Sequence, residues 1–337
     1  MHWGVLILCH LEFVFRMGLD VVPYSDRWKD AWDRFVLQSN SGTIFHLQRF
    51  LEYHRERSFE WHHLLFLDGT TVVAVLPAAL TGSTLESPVG ASYGSFVTGD
   101  LSFARALELT DVFSDYCRSA AIERTLLTPP PFIYQRVQTQ SIDYALAYRG
   151  FTHDKHYISH AIDLPDSDLI TSFQPTTRRY VRKYLRDGEL EIGLSDDMDS
   201  FYPILVMNKQ KHGVTPTHSL EELKRLRSLF PDRIILFLVR HKKKPIAGSL
   251  LFVCNPQVVL CFYNMLLYEF EHFHPIHAVM YEALRWTREH HIRWFDIGVS
   301  QDTHAEDHMT PAMSLIRFKE QFNAKGILRS TVYKRFI

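Results

Sequence analysis

A basic segment in the middle of the chain has the side-chain spacing that most clearly predicts binding chemistry. Within residues 174–188, arginines recur every four residues with further cations beside them: Arg178, Arg182 and Arg186, with Arg179 and Lys183. Residues four apart share one face of a helix, which Thr176 or Thr177 is expected to cap and Gly188 to end. Cations in a first turn oppose the helix dipole, so the pattern favours a bound anion such as phosphate. A solvated helix face is the alternative interpretation.

Two other clusters suggest different chemistries. Gly90-Ala-Ser-Tyr-Gly94 matches the G-x-S-x-G pattern of hydrolase nucleophiles. Pro88 precedes it and an extended segment follows, so Ser92 is expected in a turn and not at a strand-to-helix elbow. Histidines and carboxylates also cluster in two loops: His272, His274 and His277, then Asp302, His304, Glu306, Asp307 and His308. Their spacings match no familiar zinc or iron site, so no metal is expected.

The composition excludes several classes of protein. The chain has 337 residues, of which 46% are hydrophobic and 13% aromatic, so it is neither disordered nor collagen-like. Its 37 basic and 38 acidic residues give a net charge of −1, so any contact with nucleic acid must be local. The four cysteines form no C-x-x-C pair, which predicts a reducing, cytoplasmic location.

The first residues are apolar but do not resemble a targeting signal. Residues 5–15 include His10 and Glu12, and neither a basic flank nor a small-residue cleavage site accompanies them. We therefore expect residues 1–16 to be a dispensable upstream extension, with an ordinary soluble beginning after Met17.

Hydrophobic periodicity predicts alternating helices and strands along the rest of the chain. In the first half we expect helices at 28–35, 47–54, 101–121 (capped by Asp100) and from 131 to about 149, with strands at 61–67, 71–80, 125–128 and 156–164. In the second half we expect helices from 177, at 201–212, 220–229, 275–290 and 313–322, with strands at 233–239, 245–254, 257–267, 294–297 and 327–336.

The two halves follow the same plan, which suggests duplication. Residues 64–67 with their turn and next strand are similar to residues 236–239 with theirs. The predicted class is therefore α/β or α+β, with mixed, largely antiparallel sheets flanked by helices. We expect two domains, at residues 17–164 and 165–337.

Seven short motifs, in order, resemble one known family. They are Gly42-Thr-Ile-Phe-His46, Ser92-Tyr-Gly-Ser95, Thr177-Arg-Arg-Tyr-Val-Arg-Lys183, Lys211-His-Gly213 with Pro216, Pro245-Ile-Ala-Gly248, Phe295-Asp-Ile-Gly298, and Arg317-Phe-Lys319 with Phe322. This series is similar to that of the Fem-type peptidyltransferases and their GNAT-like N-acyltransferase relatives. The resemblance covers nearly everything after Met17.

The resemblance implies a fold, an activity and a set of site residues. It implies two tandem GNAT-like domains, with strand 327–337 returning to the first domain, and transfer of an acyl or aminoacyl group to an amine. The implied catalytic residues are Lys319, Tyr263 as a proton relay, and Asp296. The implied binding residues are Arg178, Arg179, Arg182, Lys183, Lys211, His212, Tyr93, His46 and Phe318. Strand 257–267 would supply a backbone N–H for the oxyanion.

One departure from the family leaves the donor open. Acetyl-CoA enzymes of this fold carry a glycine-rich turn that cradles the pyrophosphate at a helix N-terminus. Here the sequence is Glu271-His-Phe-His-Pro-Ile-His277. Acyl-CoA held in another way, aminoacyl-tRNA and an acyl carrier all remain as donors.

Two functions of different classes follow. The first is a cytoplasmic acyltransferase or aminoacyltransferase acting on an amine of a metabolite, peptide or cell-wall precursor, with tRNA as a partner in the aminoacyl case. The second is a noncatalytic module of the same fold that binds a phosphorylated ligand or RNA on the basic helix.

Overall fold

The structure is a computed structural model that describes residues 18–54, 57–211, 213–302 and 304–336. The extension predicted at residues 1–16 lies outside these ranges. The helices are α1 (Lys29–Gln38), α2 (Gln48–Leu51), α3 (Phe103–Ser119), α4 (Ser141–Tyr148), α5 (Leu169–Ser172), α6 (Pro175–Asp187), α7 (Met198–Lys211), α8 (Leu220–Leu229), α9 (Pro275–Glu289) and α10 (Met313–Glu320).

The strands alternate with these helices. They are β1 (Asp20–Pro23), β2 (Glu60–Trp61), β3 (Leu64–Asp68), β4 (Thr71–Leu76), β5 (Ala79–Thr81), β6 (Thr84–Ser87), β7 (Val97–Thr98), β8 (Arg124–Leu127), β9 (Thr152–Asp163), β10 (Glu191–Ser195), β11 (Ile234–His241), β12 (Lys244–Asn255), β13 (Val258–Leu266), β14 (Trp294–Val299) and β15 (Lys325–Arg335). No helix in the described ranges is long and apolar enough to span a membrane.

In each half, two helices lead into an antiparallel hairpin. In the first half α1 and α2 precede β3–β4, and in the second half α7 and α8 precede β11–β12. A parallel pair joined by a crossover helix follows in each half: β6 and β8 around α3, then β13 and β14 around α9. The remaining helix and strand of each half are α4–β9 and α10–β15. The structure thus confirms the predicted mixed α/β fold built from two similar halves.

Most strands belong to one continuous sheet. Its order is β10-β11-β12-β13-β14-β9-β15-β8-β6-β5-β2, and a smaller sheet has the order β1-β3-β4-β7. Near its middle, β15 pairs with β9 from Lys325 to Tyr333 and with β8 from Val332 to Arg335. The last strand of the chain therefore lies between two strands that come from its first half.

The two faces of the sheet bury different helices. Alternate residues of β11 point to opposite faces: Leu236 and Leu238 belong to one core cluster, Phe237 and Val239 to another. The first cluster contains Phe201 and Leu205 of α7, and the second contains residues 278–280 of α9. Helices α7 and α9 consequently cover opposite faces, an arrangement that determines how the candidate site is approached.

Several helix ends differ from the predictions. The helix predicted at 101–121 is capped by Ser102, whose Oγ accepts from the Arg105 N–H, and not by Asp100. Helix α6 begins at Pro175, so Gln174 is its N-cap and neither threonine caps it; proline fixes the backbone angle that a first helical residue needs. Gly188 ends α6 in the left-handed conformation, as predicted (φ 66°).

Two predicted helices are much shorter than expected. The helix predicted at 47–54 ends at Leu51, and that predicted at 131–149 contains only a 3₁₀ turn at Phe132–Tyr134 and then α4. In the second case the Gln135 side chain accepts from the Thr139 N–H at 2.7 Å, closing a local turn between the two pieces.

Candidate functional site

The candidate site is a gap in the large sheet between two parallel strands. Strands β13 and β14 pair only from Val258 to Leu260, opposite Trp294 to Asp296. Beyond this point β14 pairs with β9, at Val299 and Ser159, and the two parallel strands separate. A cavity of about 650 Å³ lies between them. Its walls come from both faces of the sheet: Ser92, Tyr93, Asn208, Lys209, residues 260–262 and 264–266, Tyr268, Glu271, residues 274–277 and 297–299, Leu315, Phe318, Lys319 and Arg329.

Strand β13 presents an irregular backbone edge to this cavity. Leu250 of β12 is opposite Tyr263 and Leu251 is opposite Cys261, so Phe262 is the extra residue of a β-bulge. Within the described residues no strand pairs with the cavity side of β13 after Leu260. An unpaired strand edge offers N–H and C=O groups to an extended ligand. The sequence predicted such a backbone donor on this strand.

Lys319 of α10 lies in the cavity wall and is almost completely buried, at 2% exposure. Its ammonium group donates to Gly298 O at 2.7 Å, Val299 O at 2.8 Å and Ser300 Oγ at 2.9 Å. Burial lowers the Lys319 pKa to about 8, although nearby Asp296 opposes this shift. All three ammonium protons are therefore used to hold the end of β14 in place.

Asp296 is also buried, but it lies behind the cavity wall. The Tyr134 and Tyr93 hydroxyls donate to Oδ2 at 2.8 and 3.2 Å, while the Ser159 hydroxyl and the Gly298 N–H donate to Oδ1 at 3.0 and 2.7 Å. The carboxylate has no free side for a substrate. It positions Tyr93, whose ring lines the cavity as the sequence predicted.

Tyr263 does not lie where the resemblance placed it. The bulge at Phe262 places its side chain in the same core cluster as Leu260, and Tyr263 is not among the residues that line the cavity. The Tyr263 hydroxyl is 3.0 Å from His218 Nδ1 and is buried there. This geometry gives no support to Tyr263 as a direct proton relay.

The basic helix α6 forms a second depression beside the cavity. Its lining residues are Pro175, Arg178, Arg179, Tyr180, Arg182, Lys183, Arg186 and His274. His274 lines both depressions and stacks on the Tyr180 ring, with 3.6 Å between ring centroids. None of Arg178, Arg179, Arg182 and Lys183 is paired with a carboxylate in the described ranges. The cationic face predicted for this helix is present, and it adjoins the gap between β13 and β14.

The segment that replaces a glycine cradle still makes a tight turn. Residues Tyr268–Phe273 form a 3₁₀ turn, and His274 then has a left-handed backbone (φ 54°) before α9 begins at Pro275. Glycine usually occupies such a position because L-residues are strained there. Burial and the nearby Lys183 and Arg179 lower the His274 pKa.

The other predicted residues have mixed outcomes. Phe318 lines the cavity. Lys211 is exposed with its ammonium 3.2 Å from the centre of the Tyr268 ring, outside the cavity wall, and His212 lies outside the described residues. His46 is fully buried in the first half, where its Nδ1 accepts from the Thr43 N–H; burial lowers its pKa to about 3. His46 is therefore not among the residues that line the cavity.

The two alternative chemistries gain no geometric support. Ser92 lies in the loop between β6 and β7, and its carbonyl accepts from Arg329, so the strand-to-helix elbow of a hydrolase is absent there. The described part of the chain contains no group of three or more His, Cys, Asp or Glu arranged to hold a metal ion.

Sequence reasoning missed two cationic residues of the cavity. Arg329 of β15 lies over the Tyr93 ring, 5.4 Å from its centre. Lys209 of α7 follows the buried residues Phe201 and Leu205 at four-residue spacing. A lysine on the apolar stripe of an amphipathic helix was the available signal.

The first half has a related cavity with different chemistry. A space of about 490 Å³ lies between α4, β9 and β15. Ile142 and Leu146 of α4 line it, as Leu315 and Lys319 of α10 line the other. Leu146 and Lys319 are each six residues before the following strand, so leucine replaces the buried lysine in this half.

Comparisons with known proteins agree with this geometry. The family model for the acetyltransferase (GNAT) domain matches residues 171–308. FemX has a similar structure (TM-score 0.70, 13% identity, 94% of this chain and 97% of FemX). So do L-PGS from Bacillus licheniformis (TM-score 0.55, 8% identity, 86% and 91%) and a tandem GNAT protein from the clavulanic acid biosynthesis pathway (TM-score 0.53, 10% identity, 94% and 98%).

No curated protein sequence matches this chain. These three structures are at most 13% identical to it, so they establish the fold and not the substrates. The expected resemblance is nevertheless confirmed by both kinds of comparison. Residues 171–308 match the model of the GNAT acetyltransferase domain, and the fold of the chain is similar to the folds of FemX and of the tandem GNAT protein.

Proposed function

We propose that the protein is an N-acyltransferase that moves an activated acyl group from a phosphate-bearing donor to an amine. The observation that carries this proposal is the gap between β13 and β14, which joins an unpaired strand edge to the cations of α6 through His274. The GNAT domain match over the same residues supports it.

Acyl-CoA is the donor that these features suit best. An extended chain with amide groups can add to the β13 edge as a further strand would. Its phosphates can reach the unpaired cations Arg178, Arg179, Arg182 and Lys183. Coenzyme A has both amides and phosphates, whereas an aminoacyl-tRNA would use chiefly the cationic surface. The acceptor is an amine of a metabolite, peptide or cell-wall precursor in the cytoplasm.

The reaction needs no covalent intermediate on the protein. The neutral amine attacks the thioester carbonyl, a C–N bond forms and the C–S bond breaks, and the proton lost by the amine neutralises the thiolate. A backbone N–H of the bulged β13 edge is the donor for the developing oxyanion. Lys319 contributes positive charge nearby and holds Gly298 and Val299, so it positions the wall against which the acyl group lies.

The proposal is tested by calorimetric titration with acetyl-CoA and coenzyme A. We expect micromolar binding that weakens about tenfold or more in Arg178→Ala/Arg179→Ala, because each lost charge-assisted bond contributes about 1.5–3 kcal/mol. The double variant Arg27→Ala/Arg34→Ala is the matched control, since it removes the same charge from exposed residues of the first half. Raising the salt concentration should weaken the wild-type interaction.

The outcomes separate the remaining functions. Binding accompanied by release of free thiol in the presence of amines supports the transferase. The absence of any heat with either ligand contradicts an acyl-CoA donor and favours aminoacyl-tRNA or an acyl carrier. Binding without turnover of any amine favours the noncatalytic module.

A further inference from the structure

Lys209 is a cation of the cavity that pairs with no anionic group in the described protein. It is half-buried near the end of α7, and its ammonium lies 5.9 Å from the centre of the Tyr263 ring. Within the described ranges it forms neither a hydrogen bond nor an ion pair. Burial lowers its pKa. Burying an ammonium group without an opposite charge is energetically unfavourable, so the presence of a lysine at this position needs an explanation.

The other charged groups of the cavity do not share this property. Lys319 uses all three protons on the protein, and Arg329 donates to Ser92 O at 2.8 Å while lying on Tyr93. Glu271 is the one carboxylate among the described lining residues; it is exposed and does not pair with Lys209. The cavity therefore has an excess of positive charge with Lys209 as its unsatisfied member.

The position of Lys209 indicates which substrate carries this anion. Helix α7 covers the face of the sheet opposite α9, whereas the cations proposed to hold the donor phosphates lie beside the N-terminus of α9. A group bound at Lys209 is therefore on the side from which the acceptor must come.

We infer that Lys209 is an anion-binding residue for the acceptor, which is an amine that also carries a carboxylate or phosphate group. This inference rests on the proposed transferase function, because that function defines the acceptor side. It narrows the acceptor from any amine to amino-acid-like or phosphorylated amines.

Matched amines test the inference with acetyl-CoA as donor. L-lysine is compared with cadaverine, which lacks the carboxylate, and phosphoethanolamine with ethanolamine. The wild-type kcat/KM is expected to favour at least one anionic member by about tenfold, the size of one charge-assisted hydrogen bond. The pair that shows the preference identifies the anion as carboxylate or phosphate.

Variants of the lysine locate the effect. Lys209→Gln should raise KM for the preferred anionic amine, so that the kcat/KM ratio between this amine and its matched partner falls close to one. Lys209→Arg should restore much of that ratio. The control is Lys224→Gln on α8, where the exposed ammonium pairs with Asp199; it should keep the ratio. A fall in kcat alone, equal for both members of a pair, would show that Lys209 acts in the chemistry and would overturn the inference.

A measurement without turnover separates this inference from the proposed function. Reductive ¹³C-methylation keeps the lysine charge, and the Lys209 signal is the one missing in Lys209→Gln. Acetate or inorganic phosphate should shift this signal to saturation. If the signal moves but no amine is acetylated, the anion site stands and the transferase proposal fails. If amines are acetylated but neither anion moves the signal, the inference fails and the transferase stands.

Discussion

Two lysines of the same cavity have opposite environments, and the difference decides what each can do. Lys319 is enclosed by acceptors from the end of β14, whereas Lys209 has no acceptor in the described protein. Burial lowers the pKa of both. Only the role of Lys319 can be tested by measuring stability alone, because its ammonium group is hydrogen-bonded within the folded protein.

Replacing Lys319 by Met should change stability in a pH-dependent way. Two buried carbonyls lose their donor, so at pH 7 the free energy of unfolding is expected to fall by about 1–3 kcal/mol. The folded-state pKa of about 8 is below the ordinary value of 10.5, so between these values the unfolded chain binds more protons. Wild-type stability relative to Lys319→Met should therefore rise from pH 8 to about pH 10. Urea denaturation of both proteins across this range measures it; parallel curves would contradict it.

Some site residues could be found from the sequence, and the errors have a physical cause. Phe318, Lys319 and Tyr93, which the family resemblance implied as site residues, line the cavity. The Tyr263 side chain does not line the cavity because a bulge at Phe262 shifts the alternation of side chains by one residue. The residue pattern of a strand does not reveal such a bulge. Lys209 was missed because a single lysine in an apolar helix stripe forms no recognisable motif with neighbouring residues in the sequence.

At the scale of elements, close packing between α7 and β12 fixes where Lys209 lies. Gly248 of β12 faces the Phe201 ring, and a Cβ atom at this position would be 2.8 Å from both the ring and the Phe237 carbonyl. This contact explains why the motif Pro245-Ile-Ala-Gly248 ends in glycine. Elements as a whole were predicted well, including Leu220–Leu229 at its observed bounds, whereas the N-caps of α3 and α6 and the segment after the prolines at 129–131 were not.

Gly248→Ala should therefore destabilise the fold and displace the first turn of α7, where Phe201 lies. Overpacking of this kind typically costs about 1–3 kcal/mol, which a denaturation curve resolves. Gly193→Ala on β10, two strands away in the same sheet, is the control, since no atom lies within 4 Å of its added Cβ. Equal stability of the two variants would mean that α7 moves freely away from the sheet.

At the scale of the whole molecule, β15 joins the two halves. It supplies hydrogen-bond partners to both β8 and β9, so the first half without it has two unpaired edges near the middle of its sheet. The boundary predicted near residue 164 remains a prediction, and this strand provides a way to examine it.

Residues 18–164 alone should be largely insoluble, because exposed strand edges promote association. Adding residues 325–336 through a short Gly-Ser turn should recover soluble protein, since Lys325 pairs with Ala161 near the end of β9. Soluble fraction and gel-filtration volume compare the two chains. Equal solubility without the added strand would show that the first half is stable by itself.

The gap between β13 and β14 has a consequence for the order in which substrates bind and products leave. Since its walls come from both faces of the sheet, a donor on the α9 face and an acceptor on the α7 face can occupy it together. Neither has to leave before the other arrives. A transferase built in this way passes through a ternary complex, and its double-reciprocal rate plots intersect, whereas a ping-pong enzyme gives parallel lines.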